Sequence, residues 1–102
     1  MSTFTLSKQL DNHYLIDGDL TFSSINKKTM PSFDFLKQSN EIQIDLRNVA
    51  STDSAGLALL LEWIKHSKLY NTKLVFIYIP HQLLTLAALS GLDLNEYLTD
   101  ID

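Results

Sequence analysis

Apolar and polar positions divide this chain into short alternating runs and longer stretches of helical spacing. Phe4, Leu6 and Leu10 alternate with polar residues and predict a first strand. Asp11-Asn12 is a turn signal. His13-Tyr14-Leu15-Ile16-Asp17-Gly18-Asp19-Leu20 predicts a second strand, antiparallel to the first. Thr21 to Ser24 supplies capping side chains, and Ile25 to Gln38 predicts a mostly helical segment. Pro31 cannot donate to a helix interior, so it either kinks that helix or opens its second half. The second arrangement is the expected one, with Phe33, Leu36 and the Lys37 stem packing inward.

Glu41 to Leu46 predicts a central strand, and Ala55 to Leu69 the main helix. Asn71-Thr72 turns the chain. Leu74-Val75-Phe76-Ile77-Tyr78-Ile79 is a continuous apolar run, the pattern of a strand covered on both faces. Pro80 suits a helix first turn; Leu83, Leu84, Leu86, Ala87, Ala88 and Leu89 follow at helical spacing, and Ser90-Gly91 ends that helix. Leu92, Leu94, Tyr97, Leu98 and Ile101 form a closing segment. The order β-β-α-β-α-β-α predicts one α/β domain over residues 1–102. Its sheet is mixed, parallel where helices cross over, with helices packed on it.

Composition narrows the function. An apolar fraction of 45% and a charged fraction of 20% are those of a globular domain, and 102 residues bury one core. The net charge is -4, with the acids scattered and the bases few. A nucleic-acid partner needs a basic footprint, and none is visible. The absence of cysteine excludes a disulfide scaffold, a zinc–thiolate site and a cysteine nucleophile, and fits a reducing compartment. The N-terminus lacks the basic start and apolar run of a signal peptide. No window approaches the roughly 20 apolar residues of a membrane span. The expectation is a cytoplasmic domain without membrane insertion, which reaches a membrane only by binding something already there.

Catalytic patterns are missing. Ser54 follows Asp53 without a Gly-x-Ser-x-Gly elbow. His13, His66 and His81 fall in three separate elements without metal-ligand spacing, and Gly18, Gly56 and Gly91 form no phosphate loop. The reading is a non-enzyme with no cofactor and no metal, since catalysis needs nucleophile, base and orienter together.

The main helix carries the candidate surface. At about 100° per residue, Leu57, Leu60, Leu61 and Ile64 share one face, the expected core face. Leu59, Trp63, His66 and Tyr70 fall roughly opposite. A helix on one small sheet is not expected to bury both faces, so this second stripe is read as a partner surface, with Trp63 its main anchor. The alternatives are that these are ordinary scattered surface apolar residues, or that the closing segment around Tyr97 and Leu98 covers the stripe. Ser54 stands in the helix's first turn, where backbone N–H groups lack intrahelical partners. Its hydroxyl is a cap, a contact point or a phosphorylation site; Asp53 is an equal candidate for the cap. The small neighbours Ala55 and Gly56 leave the turn open to approach.

These residues resemble a known family. Ile44-Asp45-Leu46, Val49, then Asp53-Ser54-Ala55-Gly56-Leu57, with Gly18-Asp19-Leu20 upstream, is similar to the signature of the STAS domain. This is the fold of bacterial anti-sigma-factor antagonists and of the cytosolic ends of sulfate transporters. Within it, Gly56-Leu57-Ala58-Leu59-Leu60-Leu61 and the early Pro31 resemble the branch of small stand-alone subunits of the Mla phospholipid-transport ABC system, the MlaB-like proteins. The resemblance implies a non-catalytic subunit that binds and supports a cytoplasmic, MlaF-like ABC ATPase in complex with a membrane permease. Such a transporter maintains outer-membrane lipid asymmetry. The resemblance places Ser54 at the ATPase contact; taken with the second stripe of the main helix, the expected contact residues are Ser54, Asp53, Ala55, Leu59, Trp63 and His66. The alternative is an anti-sigma-factor antagonist switched by phosphorylation of Ser54. Two positions depart from the sigma-factor branch: Thr21 follows Gly18-Asp19-Leu20 where that branch has an acid, and Ala55 stands where it has a second serine.

Overall fold

The computed structural model describes residues 3–25, 33–94 and 97. Strands β1 (Phe4–Leu10), β2 (His13–Leu20), β3 (Glu41–Thr52) and β4 (Lys73–Ile77) form one sheet in the order β1-β2-β3-β4. Helix α1 (Ser54–Leu69) joins β3 to β4, and α2 (His81–Leu89) follows β4. β1 and β2 are antiparallel, and β2–β3 and β3–β4 are parallel. The mixed α/β sheet is the expected one. The first helix is not: its described part is a short 3-10 turn, Asp34–Lys37, with Ile25 outside any helix. Pro31, Leu98 and Ile101 lie outside the described residues.

β3 outruns its predicted end at Leu46 because it keeps pairing with β2 up to Leu20↔Thr52. Two register shifts absorb the mismatch, one opposite Leu15/Asp17 and one opposite Gly18/Asp19. Such bulges leave a backbone N–H without a ladder partner. At the first, the Asp45 carboxylate accepts the Arg47 backbone N–H at 2.8 Å and its guanidinium at 2.7 and 2.8 Å. Those contacts hold Arg47 still more firmly protonated than a free guanidinium, by hydrogen bond first and by charge second. Arg47 also lies 4.7 Å over the Tyr78 ring.

Alternate strand residues build the core: Tyr14, Ile16 and Leu20 from β2, Ile42, Ile44 and Leu46 from β3, Leu74 and Phe76 from β4. Coverage of β4 on both faces holds in part. Val75 is half-buried, and Ile77 lines an open concavity of about 420 Å³ with Gln43, Asp45 and Arg47.

Helix α1 corrects the partner-stripe expectation. Trp63 is fully buried and Leu59 nearly so, both within this chain. At about 100° per residue, its buried positions from Leu57 to Ser67 span one arc of roughly 160°. The two supposed faces are the two margins of that arc, and Leu61 on its far side is only half-buried. The segment around the 3-10 turn covers the second margin. Phe35 meets Trp63 edge-on at 6.0 Å, and Phe33 stacks on His66 at 4.1 Å. A helix packed on a sheet and flanked by a third element buries more than the stripe that a sheet alone would take.

Both helices end in the same way. After α1, Thr72 N–H reaches Ser67 C=O and Asn71 N–H reaches Lys68 C=O, with Asn71 at φ 57°. After α2, Leu92 and Gly91 bond Ala87 and Ala88 with Gly91 at φ 75°. Both are left-handed C-terminal caps, which Asn and Gly tolerate best.

Candidate docking site at the start of helix α1

The carboxyl ends of β2 and β3 lie side by side, where sites gather in parallel α/β sheets. The chain leaves β2 into the turn Thr21–Ile25 and leaves β3 into α1. The two exits are bonded to each other. Asp53 N–H donates to Leu20 C=O at 3.2 Å, and the Asp53 carboxylate accepts Phe22 N–H at 3.0 Å. Its other oxygen accepts Ala55 N–H at 2.8 Å and caps α1. The open question of the cap is thereby decided: Asp53 is the N-cap and Ser54 the first helical residue.

Freed from capping, Ser54 is exposed, and no hydrogen bond engages its hydroxyl among the described residues. Gly56 explains how the helix comes so close to β2. A Cβ there would stand 2.5 Å from Leu20 O and from Thr52 Oγ1. Any larger residue would lift the first turn off the sheet. Thr52 Oγ1 is buried beneath it without a hydrogen-bond partner.

Between the turn and α1 runs an apolar groove of about 360 Å³. Phe22, Ile25, Ser54, Ala55, Ala58, Leu59 and Glu62 line it. Phe22 forms one wall and is 81% exposed. The turn that carries it is held from several sides. Ser24 and Ile25 N–H bond Thr21 C=O, Thr21 N–H bonds Ser24 Oγ, and the Ser24 hydroxyl bonds Asp19 C=O. An aromatic ring held in solvent on a fixed turn, beside an apolar groove, makes this end of the sheet the candidate interaction surface.

The structure therefore brings together three of the six expected contact residues, Ser54, Ala55 and Leu59, with Asp53 bracing the groove from behind. Leu59 is its floor, not a projecting anchor. Trp63 is in the core, and His66 lies against Phe33; it is not in the lining itself but stands beside it, its Nδ1 3.7 Å from the Glu62 carboxylate. Sequence reading missed Phe22, Ile25, Ala58 and Glu62. The available signal was a lone aromatic residue in the cap-rich run Thr21-Phe22-Ser23-Ser24, where local structure gives it nothing to pack on. Among the described residues, no helix is long and apolar enough to cross a membrane.

Comparison with known proteins places the architecture. Two solved structures share the fold. The anti-sigma factor antagonist SpoIIAA in its unphosphorylated form matches at TM-score 0.65 and 12% identity, covering 97% of this chain and 89% of that one. The Bacillus cell fate determinant SpoIIAA in the phosphorylated form matches at TM-score 0.68 and 14% identity, covering 97% and 91%. No curated protein matches the sequence significantly. A family model described as "Mlab, STAS domain" matches residues 16–99, from the middle of β2 past the end of α2. The chain belongs to that family, the MlaB-type STAS domains.

Proposed function

We propose that this chain is a non-catalytic STAS subunit that docks on, and supports, the cytoplasmic ATPase of an ABC-type phospholipid transporter maintaining outer-membrane lipid asymmetry. STAS domains act through protein–protein contacts, and the MlaB-type match gives the transporter branch its weight. The single observation that carries docking is the apolar groove beside Ser54, walled by an exposed Phe22 on a braced turn. It offers burial to a partner and no nucleophile–base pair to a substrate. Membrane association follows through the ATPase and its permease.

Ser54 is the sensitive position on this surface. A partner packed over it must desolvate whatever the residue carries, and a carboxylate or a phosphate costs several kcal/mol without matching bases. The test is copurification with the Mla-type ATPase from the same genome, at matched expression. Wild type and Ser54→Thr should retain the ATPase, Ser54→Ala should lose little, and Ser54→Glu should lose nearly all of it. Full recovery with Ser54→Glu would take this turn out of the interface. Absence of any complex would end the transporter reading.

A second reading has its own observation. The fold matches SpoIIAA in both unphosphorylated and phosphorylated forms, and the Ser54 hydroxyl is exposed and makes no hydrogen bond among the described residues. In that case the chain is an anti-sigma-factor antagonist switched at Ser54. A stable ATPase complex with no phosphate on Ser54 in protein purified from its own cells would exclude it.

A further inference from the structure

The docking reading leaves open what fills the groove, and the inference that follows rests on that reading. Along α1 the groove reaches from Ser54 to Glu62. At 1.5 Å per residue this is about 12 Å, roughly two helical turns. The walls are Phe22 and Ile25 on one side and the small Ala55 and Ala58 on the other, above Leu59. Two alanines let a second backbone come close, and Phe22 supplies the large apolar surface opposite them.

The lining restricts the backbone of the occupant. Among the described residues its side chains are apolar except for one hydroxyl at one end and one carboxylate at the other. An extended segment laid here would lose water from its N–H and C=O groups and find few replacements. A helix satisfies its backbone internally and presents side chains at the i, i+3, i+4 spacing that fits a two-turn groove.

The lining also restricts charge. Among the described residues Glu62 is its one ionised side chain, and it is exposed. Both Asp53 oxygens are occupied by backbone N–H groups, and Asp19 accepts the Ser51 hydroxyl at 2.8 Å. His66 Nδ1 stands 3.7 Å from the Glu62 carboxylate and also 2.8 Å from the Glu62 carbonyl. Lys65 is on the next turn of α1, beyond the lining. Among the described residues no lysine or arginine lines the groove. The geometry points to one occupant: an amphipathic helix of the partner whose apolar stripe lies between Phe22 and Ala58 and whose lysine or arginine meets Glu62. An acidic helix of the same shape would bring like charge against Glu62 in a partly dry groove.

Two synthetic helical peptides test this on the intact isotope-labelled protein. They share one leucine stripe and differ only in carrying lysine or glutamate at the polar positions. The lysine peptide should shift the amides of Phe22, Ser54, Ala58 and Glu62 and bind at least about tenfold more tightly than the glutamate peptide. Glu62→Lys should reverse that preference, and Ala58→Arg should block both peptides. Unchanged amide dispersion and melting in both variants establish that the fold survives. Equal binding of the two peptides, or shifts confined to another surface, would overturn the inference. The ATPase experiment fails separately. An ATPase complex lost with Ala58→Arg, with no charge preference among peptides, keeps the docking reading and discards this occupant. Groove binding by the lysine peptide with no ATPase complex does the reverse.

Discussion

Asp53 ties Phe22 to the start of α1: one carboxylate oxygen caps the helix through Ala55 N–H, and the other holds the Phe22 N–H at 3.0 Å. One side chain thus fixes the helix start and the aromatic wall of the apolar groove in the same frame. Removing it should act on both. Asp53→Ala should cost about 1–2 kcal/mol through the lost cap. Asp53→Ser should recover most of that stability, since a hydroxyl can accept from the first turn. It is too short to reach Phe22 as well, so the Phe22 amide should exchange faster in both variants. Chemical denaturation and hydrogen exchange read the two effects apart.

Gly56 should tolerate no enlargement. Its added Cβ would meet the Leu20 carbonyl and Thr52 Oγ1 at 2.5 Å and Leu20 Cβ at 3.0 Å. Both residues lie on paired strands, Leu20 on β2 and Thr52 on β3, and the Leu20 backbone cannot give way cheaply. Gly56→Ala should destabilise by about 1–3 kcal/mol despite alanine's better helix propensity. A thermal melt checks it, and an unchanged midpoint would show that the first turn is not pressed on β2.

Trp63 should behave as core. Trp63→Ala should cost about 3–5 kcal/mol, as much as Leu60→Ala or more. Leu59→Asp should prevent folding altogether, because it buries a charge with no partner in the core. Trp63→Phe should be milder, since the indole Nε1 is buried without a hydrogen-bond partner and its removal relieves that cost. Equilibrium urea unfolding ranks Trp63→Ala, Leu60→Ala and Trp63→Phe, and the loss of native circular dichroism reports on Leu59→Asp.

Ser54 should matter little to the fold. Its hydroxyl makes no intramolecular hydrogen bond among the described residues, and Asp53 already supplies the cap. Ser54→Ala should change stability by no more than about 0.5 kcal/mol. A larger loss in urea unfolding would mean that the hydroxyl shares the capping.

The sequence by itself determined where the four strands and helices α1 and α2 fall, and the turn chemistry between them. Alternation marked β2 to its exact residues, His13–Leu20. Asn71 and Gly91 marked the ends of α1 and α2, because left-handed caps select those residues locally. The Asp53-Ser54-Ala55-Gly56 junction was legible for the same reason: a helix start is a local event. Which face of α1 is covered was not legible. Periodicity placed Trp63 and Leu57 on different sides, but only the sheet together with Phe33 and Phe35 could bury the whole arc between them. The 12-residue length of β3 likewise depended on its pairing with β2 through two bulges, not on its own pattern. The docking groove depended on a contact 31 residues long, from Asp53 back to Phe22. Local propensity fixes caps and strands because a few neighbours decide them; burial of a face and the walls of a groove are decided by distant segments, and only the folded chain brings those together.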